Sequence, residues 1–388
     1  MRSLSAAMVV ILGAGLGSCS GEGARGDMVV DTIGGVPSVI SNQPAVADTL
    51  PWTLENYLVV AADQLYERKS TLLALDVAIL EDGGVLVLDG TNDRVLRFDS
   101  LGAYVSSFGR SGEGPGQFDT PLFLEAADSE VYVMDVKLNR VSAFDTGGVF
   151  LRRFNVDLAG LVGTSAIFEA GGTGELYMAG EPAPFVAAAR DTGRAVLYRF
   201  NRYGTIVDTV LTYTASVWTP IQRPDGGISY VKPRFAPEPR VSGQPGSVAV
   251  ATGARYLIEV RAPDGTLRRR VARTFEPAPV TDAVRDTVLD MLAQSGLPRE
   301  TLETVPFARV IPAIERLTLD EAGRLWVDPY IPDEPTRRDI FDAEGGYLGA
   351  VYLPLAMRLE DIAADRACGV ISQPSGASAV GCFRIVGQ

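Results

Sequence analysis

Five acids sit near the starts of strand-like segments: Asp76, Glu125, Glu169, Glu315 and Asp361. Carboxylate oxygens of this kind suit a hard divalent cation such as Ca2+. A cation held there would polarise a carbonyl and activate water against an ester or lactone. The five form a site only if their strands converge; otherwise they are loop acids paired with neighbours such as Arg316 and Arg358. Much other chemistry is excluded, because the 388-residue chain contains no histidine. That removes Ser–His–Asp and Cys–His systems, imidazole-built zinc sites and a histidine pH switch. The net charge is −13, and the short runs Arg268–Arg270 and Arg337–Arg338 are balanced by nearby acids, so nucleic acid is not an expected partner.

A second stretch invites a catalytic reading. Ser107–Phe118 reads "SFGRSGEGPGQF", with four glycines and Pro115. A phosphate-cradling loop needs Gly-Lys-Ser/Thr leading into a helix, so that amides and a lysine hold the anion. No lysine is present, Pro115 removes an amide, and the following "DTPLFLEAAD" is strand-like. The segment is therefore expected to turn the chain between strands, with glycine allowing the tight bends.

The positions that recur explain the framework. Asp89 and Asp135, Arg94 and Arg140, Phe98 and Phe144, and Asp99 and Asp145 each lie 46 residues apart. A fixed period of this size indicates a propeller or another repeat array. Within each unit, short strands such as "VLVLD" and "RVLRFD" are separated by turn residues, giving four antiparallel strands per blade. Weaker copies follow at 174–211, 246–271, 323–353 and 359–386. The chain outside its leader, linker and insertion holds about six such units. The last copy lacks room for an outer strand, and "TLENYLVVAA" from Thr53 can supply it and close the ring. The expectation is an all-β, six-bladed propeller over 52–388. Because they recur at the blade period, Asp89, Asn92, Arg94, Asp135, Asn139 and Arg140 are read as turn-tying residues. One segment departs from the β pattern. Residues 275–311 carry a helical period through Val284, Val288, Leu289 and Leu292, with Thr281 or Asp282 as cap. This predicts a helical insertion between blades 4 and 5.

The N-terminus reads as an address. Arg2 precedes a short apolar run from Leu4 to Leu16, too short to span a membrane. Leu16-Gly17-Ser18-Cys19 resembles the lipobox of bacterial lipoproteins, which implies a signal peptide over 1–18 and lipidation of Cys19. Ser20 in place of Asp favours outer-membrane sorting in that family. Residues 19–51, rich in Gly, Ser and Pro, are expected to form a flexible tether. Cys368 and Cys382 then remain, on either side of a Pro/Ser/Gly turn, and are expected to form a disulfide across a hairpin.

The glycine loop followed by "VYVMD", "LNRV" and "AFD" resembles NHL-type repeats and, more narrowly, bacterial six-bladed β-propeller lipoproteins. The resemblance spans roughly residues 52–388. It implies an envelope protein, monomeric and anchored by lipid alone, that binds a protein partner or small ligand on one face of the ring without catalysis. The alternative is a divalent-cation-dependent hydrolase of the lactonase or esterase kind, using the channel carboxylates.

Overall fold

The computed structural model describes residues 28–33, 35–42, 48–60, 74–127, 129–156, 161–169, 175–182, 193–214, 218–222, 226–293, 299–331, 334–372 and 378–388. The expected leader and Cys19 lie outside them.

Six four-stranded antiparallel blades are arranged in a ring. Blade 1 covers 74–108, blade 2 covers 121–155, blade 3 covers 161–214, blade 4 covers 240–272 and blade 5 covers 314–352. Blade 6 is built from both ends of the chain: Arg358–Ala363, Arg366–Ser372 and Ser378–Val386, with Thr53–Val60 as its outer strand. Val60 pairs with Val380 and Thr53 with Val386, so the ring is closed by hydrogen bonds between the two termini. The six inner strands touch in sequence around a central channel, and the inner strand of blade 6 meets that of blade 1.

The apolar core lies between the blades. Val85 and Val87 of blade 1 pack on Cys368 and Val380 of blade 6. Leu86 and Leu88 pack on Val131 and Phe144 of blade 2. Ile258 and Val260 of blade 4 meet Leu325 and Phe341 of blade 5. Alternate residues of one central strand face opposite neighbours, so these strands read as unbroken apolar runs such as Val85-Leu86-Val87-Leu88. Dividing the core in this way lets the chain exceed the size at which a single core stops growing.

The turns recur with the blades. The Asp89 carboxylate accepts from Asn92 Nδ2 at 2.8 Å and Arg94 Nε at 3.1 Å. Asp135 instead accepts from the amides of Asp119 and Leu138, at 2.7 and 2.9 Å. Arg140 reaches the glycine loop and donates to the carbonyls of Glu113, Gly114 and Gln117. The loop itself carries the chain from the outer strand of blade 1 to the inner strand of blade 2. Gly109 sits at φ +87°, and a Cβ there would lie 2.4 Å from the Phe118 ring.

The expected tether is corrected over part of its length. Met28–Ile33 and Val36–Ser41 form a hairpin whose second strand adds in parallel to Leu267–Ala272, the outer strand of blade 4. That edge offers unpaired backbone groups and a place to bury Val39. The chain then passes the outer strand of blade 5, where Leu50 N donates to Ala350 O at 2.8 Å. Trp52 packs on Trp326 with ring centroids 5.7 Å apart before the chain enters blade 6. The described residues between 28 and 60 thus run along blades 4, 5 and 6.

The insertion between blades 4 and 5 contains helices Asp282–Ala293 and Arg299–Glu303. Thr281 Oγ1 caps the first of these by accepting from Val284 N at 3.3 Å. No helix among the described residues is long and apolar enough to cross a membrane.

Candidate functional site: the channel and its loop-bearing mouth

Each inner strand begins on one face of the ring and ends on the other. The face where the inner strands begin carries the longer connections: the glycine loop, the 218–239 segment and the helical insertion. The channel opens there beside Glu315, Arg316, Asp328, Tyr330, Arg338 and Arg358.

Deeper in, a cavity of about 370 Å³ is lined by Asp76, Glu125, Arg240, Arg316, Glu360 and Asp361, among others. Three of the five expected acids are therefore brought to the channel: Asp76, Glu125 and Asp361. Glu315 is not. The strand bulges between Ile314 and Arg316, so Glu315 drops out of register, is exposed near the mouth, and leaves the channel to Arg316. Glu169 ends the strand Leu161–Glu169, and its side chain lies outside the described residues.

Two of the channel acids are engaged by backbone. Asp361 Oδ2 accepts from Ile79 N of blade 1 at 2.7 Å. Asp76 Oδ2 accepts from Leu124 N of blade 2 at 2.8 Å, and its Oδ1 from Val77 N at 2.9 Å. Ser242 Oγ does the same for Leu319 N, joining blades 4 and 5 at 2.9 Å. Arginines reinforce the same seams: Arg358 donates to Leu75 O, and Arg240 to Glu315 O. The polar residues of the channel therefore tie the inner strands together at three seams: blade 6 to blade 1, blade 1 to blade 2, and blade 4 to blade 5.

Burial sets their protonation. It pushes Asp361 up to about 6 against the pull of the Ile79 amide. Burial also lifts Asp76 well above the usual carboxylate range, with Glu360 adding to the effect. Glu360 is pushed up to about 7 by burial, although it is paired with Arg358. At the mouth, Asp328 rises to about 6 by burial despite Arg338 at 2.7 Å.

Among the described residues, no three His, Cys, Asp or Glu side chains are grouped so as to hold a metal ion. The channel residue that the sequence reading passed over is Glu360; Arg316 was read only as a pairing partner for the acids. Glu360 lies at a second bulge, between Leu359 and Asp361, and the shift in alternation there hides its neighbourhood from a strict two-residue period.

Outside the channel mouth, residues 232–238 and the insertion are fastened together. Arg234 N donates to Pro306 O and Ala308 N to Arg234 O, both at 2.8 Å. Arg285 lies over the Phe307 ring at 4.6 Å. Phe235, held at φ +58°, meets Tyr330 edge-on at 5.6 Å. Lys232 is bonded to Glu238 at 2.9 Å. In the closing blade, Cys368 and Cys382 face each other in register and are disulfide-bonded, with Cα atoms 4.2 Å apart.

A family model described as a 6-bladed beta-propeller matches residues 70–168. No curated protein matches the sequence. Among solved structures, a Bacteroides fragilis protein described as exported is 14% identical, with a TM-score of 0.48, covering 89% of this chain and 97% of that one. A gluconolactonase from Xanthomonas campestris is 13% identical, with a TM-score of 0.46, covering 95% and 98%. Virginiamycin B lyase from Staphylococcus aureus is 10% identical, with a TM-score of 0.44, covering 86% and 99%. At these identities the likeness says nothing of substrate or mechanism.

Proposed function

We propose that this six-bladed propeller is an envelope binding protein, anchored through Cys19, that recognises a protein partner or small ligand at its loop-bearing face. The carrying observation is Phe235. A bulky residue in the left-handed region is a backbone outlier, and such strain persists where the surroundings over-determine it, often at ligand clamps. Here the surroundings are the backbone bonds to 306–308 and the Tyr330 ring, and together they hold an aromatic residue beside the channel mouth. The channel acids support a binding role over catalysis, because Asp76 and Asp361 serve as acceptors for backbone amides of neighbouring blades.

The test is a photo-crosslinking amino acid placed at position 235 of the full chain, expressed in a bacterial envelope. The control position is Leu101, on the opposite face and 80% exposed. A discrete adduct at 235 that is absent at 101 supports the reading. Equal labelling at both positions, or none at 235, would overturn it. The hydrolase alternative predicts instead that Ca2+ raises the melting temperature and that ester or lactone turnover is lost in chelator.

A further inference from the structure

Among the described residues, the charges in the central cavity are segregated. Asp76, Glu125, Glu360 and Asp361 belong to blades 1, 2 and 6, which are consecutive around the ring. Arg240 and Arg316 belong to blades 4 and 5, on the facing arc. We infer that this cavity binds a small zwitterion of the amino acid or dipeptide class, with its carboxylate on Arg316 and its ammonium against the acid wall. The inference deepens the small-ligand form of the binding reading and rests on it.

The acid arc holds a cation of its own, Arg358, which pairs with Glu360. The hydrogen bonds of Asp76 and Asp361 come from neutral amides rather than from cations. Burial raises their proton affinity, with Glu360 adding to the effect at Asp76. Arg358 answers Glu360, and Arg338 answers Asp328. Arg316 feels both of those carboxylates at a distance, but makes no hydrogen bond or ion pair among the described residues. A charge set in a cavity is costly unless it is paired.

Other ligand classes leave one arc unmatched. A simple anion on Arg316 would face four carboxyl groups. A simple cation would leave Arg316 unanswered. A divalent ion needs converging oxygens, and no three acids are grouped for one among the described residues. An apolar ligand would strip water from both arcs with no return. A molecule carrying both charges answers both. At about 370 Å³ the cavity sits at the small end of the range for ligand pockets, roughly 300–1,000 Å³, which suits one or two residues rather than a chain.

The experiment is equilibrium dialysis of the full chain against a mixture of the twenty free amino acids and the dipeptide Ala-Ala, read by mass spectrometry. At least one zwitterion is expected to be retained. Its N-acetyl and amide derivatives should each bind at least about tenfold more weakly. Arg316→Gln should weaken retention by at least about tenfold, with Arg316→Lys recovering part of it, while thermal melting confirms that both variants fold. Retention of nothing, equal retention of the acetylated and amidated forms, or retention unchanged in a folded Arg316→Gln variant would overturn the inference. So would a cavity that takes up Ca2+ and excludes the zwitterions. A discrete adduct at position 235 without zwitterion retention would leave the binding face standing and remove only the channel ligand.

Discussion

The Asp361 carboxylate accepts a hydrogen bond from the backbone N–H of Ile79 at 2.7 Å, across the seam where the last blade meets the first. Asp361→Ala leaves that amide unpaired in the channel wall. The expected loss is about 1–3 kcal/mol in urea unfolding, with Asp361→Asn recovering most of it, because an amide oxygen still accepts. An alanine variant as stable as the parent would mean that the seam does not depend on this bond.

The raised carboxyl groups set a pH dependence. Asp361 and Asp328 rise from 3.8 to about 6, and Glu360 from 4.5 to about 7. The folded state therefore holds protons that the unfolded chain releases. That stabilisation is complete below the unfolded values and is lost as pH rises through about 6 to 7. Glu130 acts in the opposite sense: its bond to Arg152 holds it at about 2, so its contribution is present above 4.5 and lost as pH falls toward 2. The melting temperature should be highest in mildly acidic buffer and fall toward pH 8. A melting temperature that instead rises from pH 5 to 8 would contradict this assignment.

The disulfide joins two neighbouring strands of the blade that closes the ring, across 14 residues of sequence. The loop-entropy relation assigns about 3 kcal/mol to a loop of this length. Replacing both cysteines by serine should lower stability by that order, and reducing agent should destabilise the parent but not the double variant.

Arg140 holds three carbonyls of the glycine loop with one guanidinium. Arg140→Met should cost about 2–3 kcal/mol and speed amide hydrogen exchange across 110–120. Arg140→Lys should rescue little, since an ammonium cannot reproduce the fork.

The parts of the fold legible in the sequence are those governed by local rules. The matched Asp89 and Asp135, the glycine turns and the missing sixth outer strand are consequences of repetition, and the 46-residue period exposes them. The recurring Phe98 and Phe144 pack between the blades, and both are buried. The hairpin at 28–41 was hidden because a Gly/Pro-rich composition resembles a linker when the edge that receives it lies more than two hundred residues away. The channel acids were legible as a group but not in their role. Which carboxylate caps which amide depends on bulges at Glu315 and Glu360, where one extra residue changes what faces the channel. Arg316 was legible only as a pairing partner for the acids; its place in the cavity comes from the bulge beside it.

The strand that closes the ring, Thr53–Val60, pairs with Ser378–Val386 at the far end of the propeller sequence. A product truncated anywhere before Ser378 can build blades but can never join its ends. It keeps an open strand edge, which is the feature that marks a chain for aggregation or proteolysis. Closure thus makes the integrity of the whole ring depend on its two most distant strands meeting.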